Sequence, residues 1–327
     1  MLFLQEKKMK VVITGRNFTI PGSRGTQMLR DAGYEVADYG GLGLANGAPE
    51  EQIAALVKDA DIVIAGVEPY NEKVFEKCPN LKLISRRGIG YDSVDLEACR
   101  KRGITLTRTV GAVEGSVAEH VMAYLLYFAR RLDLQSSSMH RGEWKRQMMP
   151  GLKTRTLGIV GFGGIGQEIA KRAAGFGVRI LYSCRHPRPE AEKLYHAEWV
   201  PLDTLLAESD YVSVNVPLTE QTAGMCNAGF FAKMKKGGCF INISRSQVMI
   251  VEDLCAALSS GQVGCAGIDV FPKEPCTDSP LIAFDNVILT PHTAPYTSEN
   301  FCQMNDIAAE NVIRWANGTL EEKYRLV

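Results

Sequence analysis

Three short stretches, each at the end of an apolar run, carry side chains suited to redox chemistry on a small acid. They are Asn242-Ile243-Ser244-Arg245, Gly267 to Pro275 with Glu274 inside it, and Leu289-Thr290-Pro291-His292-Thr293-Ala294. A planar guanidinium such as Arg245 binds two carboxylate oxygens at once. A histidine paired with a carboxylate holds a proton near neutral pH, so Glu274 beside His292 would raise the imidazole's pKa and fix its orientation. The set suits hydride transfer to a 2-keto acid: Arg245 grips the carboxylate or carbonyl oxygen, His292 protonates the forming alkoxide, and a bound cofactor gives the hydride. Singly, each residue has a plainer reading as a strand cap, a turn residue or a packed histidine.

What tips the balance is a dinucleotide fingerprint upstream. Gly161-Phe162-Gly163-Gly164-Ile165-Gly166 follows the apolar run Thr156-Leu157-Gly158-Ile159-Val160 and precedes a helix-forming stretch. Gly161 permits the tight turn, Gly163 lets backbone approach a pyrophosphate, and Gly166 lets helix and strand pack closely. The anion then sits at the helix amino terminus. The carboxylate that usually meets the ribose about 20 residues on is missing. That stretch reads Tyr182-Ser183-Cys184-Arg185-His186-Pro187-Arg188. Arg185 and Arg188 could pair with a ribose 2'-phosphate, which favours NADP and leaves NAD possible.

The elements positioning these groups read as β-α units. Val11-Val12-Ile13, Asp61-Ile62-Val63-Ile64 and Leu81-Lys82-Leu83-Ile84 alternate with amphipathic stretches, and the rhythm restarts at Thr156 and runs to Leu289. This predicts an α/β protein of two doubly wound parallel sheets, with a cleft between them as the default ligand site. Ser116-Val117-Ala118-Glu119 reads as a capping box opening a helix to about Arg131 that is apolar almost all round, hence sandwiched at a junction or a subunit interface. The segment from Asp133 to Pro150 breaks the pattern. The last helix, Asn300 to Ala316, comes after the second sheet is complete. The expected domains are therefore a discontinuous one, residues 1–107 plus 295–327, and a dinucleotide-binding one, residues 108–294.

Composition excludes other classes. The 327 residues carry 37 basic and 37 acidic side chains without long like-charged runs, which argues against nucleic acid as a partner. The start, Met1-Leu2-Phe3-Leu4, is too short an apolar stretch for a signal peptide, and no run of 18 apolar residues follows, so no membrane partner is expected. Nine cysteines form no C-x-x-C pair and no metal-ligand spacing, which fits free thiols in the cytoplasm and no metal.

With these residues in hand, the chain resembles the D-2-hydroxyacid dehydrogenase family, the NAD(P)-dependent D-isomer-specific enzymes. The likeness rests on Arg87-Gly88-Ile89-Gly90-Tyr91-Asp92-Ser93-Val94-Asp95-Leu96, Ser116 to His120, the glycine fingerprint, Val216-Pro217-Leu218-Thr219, Asn242 to Arg245, Asp269-Val270-Phe271 with Glu274-Pro275, and Thr290-Pro291-His292. It implies a flavodoxin-like substrate domain beside a Rossmann domain, and a catalytic set of Arg245, Glu274 and His292. It further implies substrate carboxylate on the amides of Ile89 and Gly90, and cofactor contacts at Val216, Pro217, Thr222, Ile243 and Asp269. Ser183 and Ser244 join the expected cofactor residues. A homodimer built on the helix at Ser116 and a small anionic 2-keto or 2-hydroxy acid substrate complete the implication. His120 is set aside as a packed histidine.

Ser246 stands where the family usually has glycine, which bears on the substrate pocket. The Pro291 to Thr297 stretch looks like the D-lactate dehydrogenase branch and the Gly88 to Leu96 loop like the phosphoglycerate dehydrogenase branch, so the particular acid stays open. The length is expected to leave no room for a regulatory domain after the final helix. A formate- or phosphite-type dehydrogenase is an alternative, although the formate branch has glutamine where Glu274 stands. A dinucleotide-sensing co-repressor of the same fold is another.

Overall fold

The computed structural model describes residues 8–44 and 47–327. The amino-terminal stretch read above as neither signal nor span lies outside the described residues. The chain divides into two compact units, Met1–Val113 with Tyr296–Val327, and Glu114–Pro295. The sequence reading placed these boundaries at 107/108 and 294/295.

The first unit is a five-stranded parallel sheet of order β2-β1-β3-β4-β5. Its elements are β1 (Lys10–Ile13), α1 (Gly25–Asp31), β2 (Glu35–Asp38), α2 (Glu50–Val57), β3 (Ile62–Ala65), α3 (Glu72–Glu76), β4 (Leu83–Arg86), α4 (Leu96–Arg102) and β5 (Thr105–Arg108). This is the flavodoxin-like order. Strand side chains alternate between faces, and both faces are apolar, as a parallel sheet covered on both sides requires. Val11 and Ile13 pack with Leu29 of α1 and with Ala308, Ala309 and Val312 from the end of the chain. Val12 packs on the other side with Ile53 and Val57 of α2 and Phe75 of α3. The strands β2 and β5 escape the sequence reading because they are edges: Glu35-Val-Ala-Asp has no buried residue, Thr105-Leu-Thr-Arg buries Leu106 and Thr107 alone, and neither has a clear apolar run.

The second unit opens with α5 (Glu114–Arg130) and α6 (Leu132–His140), then runs β6 (Thr156–Val160), α7 (Gly164–Ala174), β7 (Arg179–Ser183), α8 (Pro189–Tyr195), β8 (Ala197–Trp199), α9 (Leu202–Glu208), β9 (Tyr211–Val214), α10 (Ala228–Lys233), β10 (Gly238–Asn242), α11 (Val251–Ser259), β11 (Val263–Ile268) and β12 (Val287–Leu289). Its seven strands are all parallel, in the order β12-β11-β10-β9-β6-β7-β8. Strand order reverses at β6, the switch point where doubly wound sheets bind ligands. Val212, Val214, Phe240 and Ile268 pack with Phe230, Phe231 and Leu254 to close one face.

Two helical expectations change. The helix α5 begins at Glu114, ahead of Ser116, so Ser116 and Glu119 lie inside its first turns, and the Glu119 carboxylate pairs with Arg172 at 3.1 Å instead of folding back as a cap. The Asp133 to Pro150 stretch holds the helix α6. Its serines are poor helix formers, yet Arg131 and Asp133 pair twice at its start and Ser138 returns a hydrogen bond to Gln135 O. The final helix, α12 (Ser298–Ala316), is capped by Thr297 and belongs to the first unit. No described helix is long and apolar enough to cross a membrane.

Candidate active site

The strand ends of the second unit converge because all its strands are parallel: Ser183 ends β7, Gly161, Asn215, Ile243, Asp269 and Thr290 each follow a strand directly, and all share one edge of the sheet. This edge is where a parallel α/β sheet binds its ligand.

The glycine turn has the geometry a dinucleotide requires. Gly161 has φ +90°, and a Cβ there would meet Asn215 O at 2.7 Å. Its amide donates to Ser183 O at 2.9 Å. A Cβ on Gly166 would sit 2.3 Å from Gly161 O, so only glycine lets α7 press against the turn. A Cβ on Gly163 would meet nothing within 4 Å, which leaves backbone facing open space. Gly163 is the N-cap of α7 and offers no capping side chain, so the helix's first amides and its positive dipole end are available to an anion. Phe162 is buried and stacks on Tyr182 at 3.9 Å, so it presents backbone and not ring to a ligand. These features fit a pyrophosphate without rearrangement.

At the end of β7 the loop expected to meet the ribose carries two arginines and is ordered from beneath. Tyr182 Oη accepts from the Arg188 amide at 2.7 Å and donates to Glu192 at 2.6 Å. Burial first, and then the Glu192 carboxylate, push that phenol up to about 12. Trp199 Nε1 donates to Cys184 O at 3.2 Å. The side chains of Arg185 and Arg188 are exposed, and among the described residues neither is held in a hydrogen bond or ion pair. Of the other expected cofactor residues, Val216 is half-buried and Pro217 exposed after β9. Ile243 is buried, Ser244 donates to Asn242 Oδ1 at 2.8 Å, and Thr222 donates to Pro217 O at 2.6 Å.

Arg245, Glu274 and His292 come together in the second unit. His292 Nδ1 lies 2.7 Å from Glu274 Oε2, while Oε1 accepts from the Phe271 amide at 3.1 Å. A charged carboxylate only accepts, so Nδ1 carries the hydrogen toward Glu274 and Nε2 is left to exchange a proton. Burial alone would raise the Glu274 carboxyl, but the hydrogen bond and charge of His292, the Phe271 amide and the Arg245 guanidinium outweigh it and hold it below the ordinary carboxylate range. Glu274 therefore stays charged as pH falls below that range, and its pairing is lost only when pH drops through its lowered pKa. Arg245 Nη1 donates to Ser244 O at 2.7 Å. The next residue, Ser246, is buried and its hydroxyl lies 3.4 Å from Gln247 Oε1.

His292 has φ +53°, a left-handed conformation that costs a non-glycine residue about 1 to 3 kcal/mol and persists only where its surroundings impose it. The restraint comes from Asp269. Its fully buried carboxylate accepts from Thr290 Oγ1 at 2.5 Å, the Thr293 amide at 2.8 Å and the Ala294 amide at 2.9 Å. Asp269, expected as a cofactor contact, has both oxygens engaged by its own chain. Sequence reasoning passed over Thr290 and Tyr124 and set His120 aside. His120 is not merely packed: its Nε2 lies 3.1 Å from Thr290 Oγ1 and 3.8 Å from Asp269. The spacing of His120 and Tyr124, one turn apart on α5, was the available signal.

In the first unit, Gly88 has φ +138° and is clamped by Thr109, which accepts from its amide at 2.9 Å and donates its own amide to Gly88 O at 3.1 Å. The half-buried residues Ile89 and Gly90 follow, and among the described residues no hydrogen bond engages their amides.

Comparison with known proteins agrees with this geometry. The family described as "D-isomer specific 2-hydroxyacid dehydrogenase, NAD binding domain" matches residues 122–294. Glyoxylate reductase of Thermococcus litoralis is 38% identical over 282 residues, covering 83% of this chain and 85% of its own. Glyoxylate/hydroxypyruvate reductase B of Klebsiella pneumoniae is 38% identical over 278 residues, covering 83% and 86%. The structure of D-lactate dehydrogenase from Aquifex aeolicus, complexed with NAD and lactic acid, superposes with a TM-score of 0.84 at 28% identity, over 97% of this chain and 99% of that one. The chain belongs to the D-isomer specific 2-hydroxyacid dehydrogenase family. It is an NAD(P)-dependent oxidoreductase that moves hydride between a nicotinamide dinucleotide and a 2-keto or 2-hydroxy acid.

Proposed function

We propose that the protein is an NADP-preferring reductase of a small 2-keto acid, with glyoxylate and hydroxypyruvate as the first candidates, and that His292 delivers the proton. The observation that carries this reading is the His292–Glu274 pair at 2.7 Å, which leaves Nε2 as the exchanging nitrogen. When bound, the reduced nicotinamide supplies the hydride. Gly161 to Gly166 hold the pyrophosphate on the α7 amides, and Val216, Pro217, Thr222, Ile243 and Ser244 line the remainder of the dinucleotide. The amides of Ile89 and Gly90 receive the substrate carboxylate. Arg245 polarises the carbonyl, so negative charge developing on its oxygen is stabilised while His292 gives up its proton. Glu274 then faces a neutral imidazole, which takes a proton back from solvent.

The unpaired, exposed Arg185 and Arg188 and the missing carboxylate at the end of β7 support the NADP preference, with Ser183 beside them. The relatives named glyoxylate reductase support the substrate class. The exposed apolar residues Leu132, Leu134, Met139, Trp144 and Met148, which follow α5, support a homodimer on that helix. The nine free cysteines support residence in the reducing cytoplasm.

The test is kcat/KM for glyoxylate with NADPH and with NADH. We expect NADPH to be favoured by about tenfold or more, the equivalent of one charge-assisted contact of about 1.5 kcal/mol. A preference for NADH would overturn the cofactor assignment, and no oxidation of either by any 2-keto acid would overturn the reductase reading.

A further inference from the structure

The mechanism above uses His292, Glu274 and Arg245, but a second polar cluster of the same unit adjoins the His292 loop and is anchored on a helix. Thr290 Oγ1 is met by three groups at once: Asp269 Oδ1 at 2.5 Å, His120 Nε2 at 3.1 Å and the hydroxyl of Tyr124. A threonine hydroxyl has one hydrogen and two lone pairs. The buried carboxylate of Asp269 can only accept, so the hydrogen goes there and both lone pairs must accept, one from Tyr124 O–H and one from His120 Nε2–H. That requirement fixes the tautomer of His120. Burial pushes its imidazole below the ordinary histidine value against the attraction of Asp269, so it is neutral at neutral pH with its one hydrogen on Nε2.

The two donors are themselves locked. The His120 and Tyr124 rings meet edge to face at 4.7 Å. The Tyr124 ring lies on Gly267, where a Cβ would fall 2.6 Å from it, so glycine at that point of β11 leaves the ring its place. His120 and Tyr124 thus brace Thr290, and through Asp269 the amides of Thr293 and Ala294, on both sides of a histidine held at positive φ.

We propose that His120 is a positioning residue for the reaction: with Tyr124, acting through Thr290 and Asp269, it holds the strained loop that presents His292. The proposal rests on the reading of His292 as proton carrier. It makes α5 part of the catalytic apparatus although neither side chain needs to touch substrate. Removing the His120 donor leaves Thr290 a buried lone pair to satisfy, and the hydroxyl is then free to turn away from Asp269.

The experiment is a double-mutant cycle on His120→Phe and Thr290→Val, with His120→Gln as the conservative variant and His292→Gln as the reference. We expect each single variant to lower kcat about tenfold or more with KM within about twofold, and the double variant to lie within about twofold of the weaker single one, because both break one network. His120→Gln, whose amide reaches the same donor position, should recover at least about half of wild-type kcat. The protein has five histidines, so the imidazole signal of His292 can be followed by NMR without ligand. It should shift or broaden in His120→Phe and stay at its wild-type position in His120→Gln. Losses that multiply in the double variant, or an unchanged His292 signal in His120→Phe, would overturn the proposal. A shared fall in kcat and in folded fraction, without rescue by glutamine, would also overturn it. Retention of activity in His292→Gln would overturn the proton-carrier reading instead, independently of the His120 results.

Discussion

Replacing His292 by glutamine should lower kcat by about a hundredfold to ten-thousandfold, the usual contribution of a positioned acid–base group, while KM for the 2-keto acid and the dissociation constant for dinucleotide change little. Glutamine keeps a hydrogen-bonding atom near the Nε2 position, so substrate orientation survives, but it cannot carry a proton at any accessible pH. Glu274→Gln separates the partner's contribution. It keeps the acceptor for Nδ1–H but removes the charge beside the imidazole, so kcat should fall by about tenfold or more while KM changes little. A stopped assay across pH with each variant measures both effects. Near-wild-type turnover by His292→Gln at neutral pH would refute the proton assignment.

A second large effect is expected at the glycine turn, where two positions should fail in different ways. In Gly166→Val the new Cβ would fall 2.3 Å from Gly161 O and 3.2 Å from Ile159 Cγ2, and a backbone atom cannot step aside as a flexible side chain can. The start of α7 must move off the turn, and its amides leave the pyrophosphate position. Loss of two charge-assisted hydrogen bonds at about 1.5 to 3 kcal/mol each weakens dinucleotide binding by about a hundredfold or more. Unfolding should also occur at lower temperature, since the clash lies in the core of the unit. Gly163→Ala is the contrast: its Cβ meets nothing within 4 Å, so thermal stability should hold while the methyl group occupies the space the pyrophosphate needs. Calorimetric titration with NADPH and a melting curve on each variant distinguish the two. Wild-type affinity in Gly163→Ala would mean that the anion does not approach this backbone.

The parallel sheets and the site's strand-end residues were legible in the sequence because both rest on local patterns. Val11-Val12-Ile13 and Thr156 to Val160 are continuous apolar runs, the mark of strands buried on both faces, and the glycine spacing after Val160 has one geometric meaning in that context. The edge strands β2, β5 and β8 were not legible, since an edge needs no continuous apolar run and Glu35, Asp38, Arg108 and Glu198 face solvent or partners there. The capping box at Ser116 misled for a different reason. The Ser-x-x-Glu pattern is a signal of isolated helix ends, and here the tertiary partner Arg172 claims Glu119. His120 was hidden because its importance depends on Thr290 and Asp269, distant in sequence, meeting one face of α5. Asp269 was expected only as a cofactor contact implied by the resemblance, and its bracing of the His292 loop follows from three hydrogen bonds that no spacing announces.

The formally neutral chain of 37 basic and 37 acidic residues conceals a local imbalance. Arg185, Arg188 and Arg245 all come after strands on one edge of the second unit's sheet, which would take an anionic cofactor and an anionic acid together.

The most direct test of the account is product stoichiometry with the wild-type protein, NADPH and a panel of glyoxylate, hydroxypyruvate, pyruvate and branched 2-keto acids. The account predicts that at least one acid is reduced to its 2-hydroxy acid, with one dinucleotide oxidised per molecule formed. A protein that binds NADPH tightly yet reduces none of them at any pH would contradict it and favour a dinucleotide sensor of the same fold.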